Sequence, residues 1–113
     1  MQAQARLRYY KGSPQKVRLV ANTVRGQGVM NALATLKLVH KGCAHDIEKL
    51  VRSAVANLEQ KSPGVDSGKL VVETITVDQG PTLKRSRAAS MGRVHPRLHR
   101  YCHVTVRVAE KAK

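Results

Sequence analysis

His95, His99 and His103 recur at every fourth position beside Lys84 and Arg97, residue types from which a ribonuclease draws its general acid, general base and oxyanion stabiliser. No carboxylate stands nearby to orient an imidazole, and spaced histidines in a basic segment more often add hydrogen bonds and partial charge than catalysis. Cys43 and His45 could join Cys102 and His103 around zinc, but those spacings match no common finger. Two cysteines so far apart form no disulfide framework and read as reduced thiols. Gly26 with Gly28, Gly80 and Gly92 compose no phosphate-cradling motif and read as turns. No catalytic residue, metal or cofactor is therefore expected. What remains is a dense cationic run, Lys84, Arg85, Arg87, Arg93, Arg97 and Arg100, with almost nothing apolar between its members. Like charge stays undiluted in a folded chain when something else neutralises it, and phosphate backbones are the commonest candidate.

The rest of the composition agrees. Across 113 residues, 21 Lys and Arg face 7 Asp and Glu, a net charge of +14, which points to nucleic acid. Asp46, Glu48, Glu59, Asp66, Glu73 and Asp78 hold all the acid except Glu110, so the middle is electrically ordinary and both flanks are basic. An anionic membrane could attract the same charge, but no window has the apolar length of a spanning helix. Arg6, Arg8 and Lys11 are followed by no apolar signal-peptide core, and a cytoplasmic protein is expected. No helix concentrates the Arg, Asn and Gln that read a DNA major groove. With no Phe, no Trp and only Tyr9, Tyr10 and Tyr101, a multi-base stacking platform is disfavoured as well. Structured RNA fits best.

The elements that must position these cations are legible in outline. Residues 3–10 alternate as a strand, Ala5, Leu7 and Tyr9 against Arg6, Arg8 and Tyr10. Ser13 followed by Pro14 is an N-cap and first-turn pair, so a helix starts at Pro14. Its apolar stripe is Val17, Val20, Ala21 and Val24, Gly26 closes it, and Lys16, Arg18 and Arg25 lie off the stripe. Val29, Ala32, Leu33, Leu36 and Val39 predict a second helix ending at Gly42. Ile47, Leu50, Val51, Ala54, Val55 and Leu58 predict a third from about Ala44, broken by Ser62-Pro63-Gly64. Leu70–Val77 and Val104–Val108 read as strands paired antiparallel, the first with its alternation slipping around Val71 and Val72.

Residues 79–101 then form a connection far longer than a hairpin turn needs. As two extended arms of about ten residues it would reach roughly 30 Å from the body. Ordering it costs on the order of 1–2 kcal/mol per residue, and Leu83, Val94 and Leu98 offer too little apolar area to offset that. The expectation is a finger that is mobile alone and ordered on RNA, where Arg can fork onto phosphate and stack on unpaired bases.

Two stretches resemble a known family. Ser13-Pro14-Gln15-Lys16-Val17-Arg18-Leu19-Val20-Ala21, ending in Val24-Arg25-Gly26, is similar to the first helix of large-subunit ribosomal protein twenty-two. Val77-Asp78-Gln79-Gly80-Pro81 with Lys84, Arg85, Gly92 and Arg93, and then His103-Val104-Thr105-Val106, resembles that family's C-terminal signature. The resemblance implies a single α+β domain over residues 1–113: three helices packed on a small antiparallel sheet, with residues 80–101 as a long protruding β-hairpin. It also implies a non-enzymatic, monomeric component of the large ribosomal subunit that binds ribosomal RNA, aids assembly and lines the nascent-peptide exit tunnel with the hairpin tip. The tip maps to Ala88, Ala89, Ser90, Met91, Gly92 and Arg93, where the family's usual Pro-Arg-Ala run is missing, and Tyr101-Cys102 replaces a commoner Thr-Ser.

On this reading Arg6, Arg8, Lys11, Lys16, Arg18 and Arg25 dock the body on ribosomal RNA. Lys84, Arg85, Arg87, Arg93, Arg97, His99 and Arg100 bind it along the finger. Neighbouring ribosomal proteins and the nascent peptide are the other expected partners, and no membrane is. The alternative is a free nucleoid or RNA-chaperone protein that binds without fixed architecture.

Overall fold

The computed structural model describes residues 2–64, 67–88 and 90–110, with Ser67, Arg87 and His95 described in the backbone only. The chain runs β1 (Gln2–Lys11), α1 (Pro14–Val24), α2 (Val29–Leu38), α3 (Gly42–Lys61), β2 (Leu70–Ala88) and β3 (Val94–Glu110). These strands form an antiparallel sheet of order β1-β3-β2. The C-terminal strand is therefore central, and β1 and β2 are edges. The three helices cover one face, giving the expected α+β architecture.

Each helix buries the stripe its spacing predicts. Val17, Val20, Ala21 and Val24 of α1, Val29, Ala32 and Leu36 of α2, and Ile47, Leu50, Val51, Ala54 and Leu58 of α3 meet Ala5, Val72, Ile75, Val77, Cys102, Val104, Val106 and Val108 of the sheet. Gly26, at φ 80°, ends α1 as expected, and its N–H donates to Val72 O at 3.0 Å. One boundary differs from the sequence reading. The second helix stops at Leu38, and Gly42 is the first residue of α3 rather than the end of α2. The apolar spacing around Val39 could not show this, because Val39 packs against the core as the residue that caps α2.

Register shifts mark where each strand changes face. β2 slips between Val72 and Thr74, so Leu70 and Val72, then Ile75 and Val77, all point inward. This bulge is the physical origin of the broken alternation in that segment. β1 slips between Leu7 and Tyr10, with Tyr9 at φ 56°. The expected alternation fails here. Tyr9 is 64% exposed, while Tyr10 turns toward the helices and its hydroxyl donates to Asp46 at 2.7 Å. A third slip, between Gln79 and Thr82, lies opposite Tyr101. A Cβ on Gly80 would sit 3.0 Å from the Tyr101 carbonyl oxygen, so only glycine permits this close approach.

Beyond that point the same two strands continue as the long protruding hairpin expected for residues 80–101. β2 and β3 stay paired from Thr82↔Arg100 to Ala88↔Val94. The end is closed through the Ser90–Gly92 turn. The radius of gyration is 17.2 Å and the long axis 64 Å, against about 13 Å expected for a compact chain of this length. The finger thus stands away from the body.

Candidate nucleic-acid interface

The finger's register decides which cations meet. Arg85 lies directly opposite Arg97, Leu83 opposite His99, Lys84 opposite Leu98, and Thr82 opposite Arg100. Cross-strand partners share a face, so two arginines stand on directly opposed residues, a like-charge pairing that disfavours a sheet, and the Arg85 guanidinium donates from Nη1 to the Lys84 carbonyl oxygen at 3.1 Å. No acid is present to offset the pairing, since residues 79–109 contain none. Lys84, Arg85, Arg93, Arg97 and Arg100 are exposed and His99 is half-buried. Arg87 pairs with His95 in the ladder; its side chain lies outside the described residues, as does Ala89 of the tip. Met91, at the end of the finger, is 97% exposed.

The Gly80–Pro81 slip also aligns the finger with the body. Before it, Asp78 faces away from the helices; after it, Leu83 and Arg85 take that same side with His99 and Arg97. The uncovered sheet face carries Arg6, Arg8, His103, Thr105 and Arg107, so the cations of body and finger lie on one side of the sheet, with Asp78 among them. At the root of the finger lies a cavity of about 430 Å³, lined by Arg6, Arg8, Tyr9, Asp78, His103 and Thr105. Its wall is ordered: the Tyr9 amide donates to His103 Nδ1 at 3.0 Å, and the two rings meet edge to face at 4.8 Å. Tyr9, Asp78, His103 and Arg107 were absent from the sequence-derived set. For Tyr9 the alternation was misleading, and Arg107 was visible only as an outward residue of β3.

Arg18 on α1 and Arg25 at its C-cap are exposed as expected, but part of each guanidinium is committed inside the protein. Arg18 donates from Nε and Nη2 to Val77 O at 3.1 and 2.8 Å. Arg25 donates from Nη2 to Ile75 O at 2.7 Å. With the 26–27 backbone paired to Val72, these contacts cover the outer edge of β2, which would otherwise offer a free ladder to another chain. Lys11 and Lys16 line a second hollow of about 540 Å³ together with Lys41, Tyr10 and Leu19; Lys41 is a further cation that the sequence reading missed.

Among the described residues the catalytic and metal alternatives find no geometry. His99 and His103 are four residues apart on an extended strand, about 13 Å, too far to act on one bond. Asp78 does lie opposite His103 in the sheet, contrary to the expectation of no nearby carboxylate. The Nδ1 that such a carboxylate would orient is already taken by the Tyr9 amide. Cys102 is buried on the helix side while His103 faces the open side. Among the described residues no group of three or more potential metal ligands assembles.

A small helical layer behind a sheet whose open face and hairpin are cationic defines a basic module suited to a folded polyanion. The comparisons with known proteins are of one kind. The family model described as ribosomal protein L22p/L17e matches residues 5–109. The chain is 45% identical over the whole of both sequences to the large ribosomal subunit protein uL22 of Myxococcus xanthus. It is 41% identical to that of Solibacter usitatus, over 98% of each chain, and 44% identical to that of Mycoplasma mycoides subsp. mycoides, over 98% of this chain and 99% of the relative. This chain belongs to the ribosomal protein L22p/L17e family, and its relatives are structural components rather than enzymes.

Proposed function

We propose that this protein is a cytoplasmic structural component of the large ribosomal subunit. It binds ribosomal RNA with its open sheet face and both faces of its finger, aids assembly beside neighbouring ribosomal proteins, and presents residues 88–93 to the nascent peptide in the exit tunnel. The observation that carries this is the Arg85–Arg97 juxtaposition on a hairpin that has neither acid nor core of its own. Such a hairpin is stable in one place when phosphates lie along it. Membership of the ribosomal protein L22p/L17e family supports ribosomal RNA as that polyanion.

The test is salt dependence. Replacing residues 84–99 by an Asn-Gly turn removes Lys84, Arg85, Arg87, Arg93 and Arg97. At roughly 0.7–0.9 per phosphate contact, the slope of log affinity for large-subunit RNA against log salt should flatten by about 3.5 to 4.5, with the body still folded. An unchanged slope refutes the finger's role. Fractionation addresses the nucleoid alternative: the protein should stay with large subunits through a moderate-salt wash, whereas a loose polycation would wash off.

A further inference from the structure

We propose that the cavity at the root of the finger is a subsite for one unpaired guanosine of RNA. Asp78 and His103 read the Watson–Crick edge of the base, Tyr9 stacks on it, and Arg6 with Arg8 holds the flanking phosphate. This rests on the reading that the chain binds RNA and adds to it a base-specific contact on the body.

The strained backbone at Tyr9 is the first observation. A bulky residue at φ 56° is costly, and bulges recur where a strand re-aims a side chain. What this one achieves is to put Tyr10 into the body against Asp46 and to turn Tyr9 outward, 64% exposed, into the cavity wall. One aromatic face is enough for one unpaired base, although it is far short of a multi-base platform.

The second observation is the tautomer of His103. Because Nδ1 accepts the Tyr9 N–H, the neutral ring carries its proton on Nε2, as a donor. That atom lies close to Gly80, where a Cβ would sit 3.2 Å from it and crowd it. Asp78, its cross-strand partner, is exposed and forms no ion pair among the described residues. A bare carboxylate is out of place on a phosphate-binding face and would weaken it. Beside the Nε2 donor, however, it completes a row of one donor and two acceptors. Guanine, with O6 as acceptor and then N1–H and N2–H as adjacent donors, is the complement. Adenine, cytosine and uracil offer no two adjacent donors on that edge. The cavity volume, about 430 Å³, lies in the range of roughly 300–1,000 Å³ usual for small-ligand sites.

The test has two arms, both on the full chain. In the first, the protein is titrated with GMP, AMP, CMP and UMP while the ring signals of Tyr9 and His103 are followed by NMR. GMP should shift them at the lowest concentration, and Asp78→Asn should abolish the preference. Equal shifts with all four nucleotides, or none, would overturn the proposal. In the second arm the ligand is large-subunit RNA at fixed salt. A carboxylate that merely opposes phosphate predicts tighter binding by Asp78→Asn. A carboxylate that reads guanine predicts weaker binding by roughly 10-fold, within the usual range for a paired contact to a base. Tyr9→Asn, a residue that tolerates positive φ, should keep the fold and weaken binding by roughly 5- to 100-fold through lost stacking. Unchanged or tighter binding by both variants sinks the subsite alone. A wild-type chain that binds large-subunit RNA no better than a control RNA sinks the ribosomal reading, and the mononucleotide arm still decides the pocket.

Discussion

β2 and β3 run through two very different surroundings. In the body their inward residues Val72, Ile75, Val77, Cys102, Val104 and Val106 are almost wholly covered by helices. Past Gly80 the same strands keep their backbone ladder, yet Leu83, Val94 and Leu98 are 40%, 63% and 47% exposed. Backbone pairing alone leaves a two-stranded ribbon marginal in water, and the Arg85–Arg97 repulsion lowers it further. The difference teaches that the body is ordered by its own apolar burial, whereas the finger has no comparable core of its own. Both bulges beside β3 residues 101–103 lie at the boundary between these regimes, where the sheet loses its helical cover.

Core substitutions should separate the two regions most sharply. Leu58, fully buried in α3, should cost about 2–5 kcal/mol of folding stability as Leu58→Ala, while Leu98→Ala on the finger should stay within about 0.5 kcal/mol. Equal losses in denaturant melts would mean that the finger has a core after all. At the boundary, Gly80→Val forces the strand backbones apart and should cost about 1–3 kcal/mol, with amide exchange faster in residues 80–101 than in α3. Tyr10→Phe, which removes the hydroxyl bonded to Asp46, should cost about 0.5–1.5 kcal/mol at neutral pH.

The last variant also carries a pH signature. Burial first, then the hydrogen bond to Asp46 and that carboxylate's charge, raise the Tyr10 phenol well above its ordinary value. The unfolded chain ionises Tyr near pH 10. The stabilisation from keeping Tyr10 protonated is therefore fully present below that pH and is lost as pH rises through it toward the higher folded value. Between pH 9 and 11 the wild type should lose stability faster than Tyr10→Phe. Parallel losses would show that Tyr10 ionises as freely in the fold as outside it.

The amino-acid sequence by itself determined the helical stripes, the Gly26 stop, the two strands that flank the finger, and the cationic run that makes RNA the natural partner. These follow from periodicity and charge, which are local properties of the chain. Tertiary structure alone decided where α2 ends, where β1 and β2 slip in register, and that Tyr9 and Tyr10 exchange the sides their alternation suggests. It also decided that Arg18 and Arg25 bind the edge of β2, and that Asp78 stands opposite His103. Each of these depends on register, and a single extra residue in one strand moves every later side chain to the other face, a shift that pairing partners set and no local pattern records.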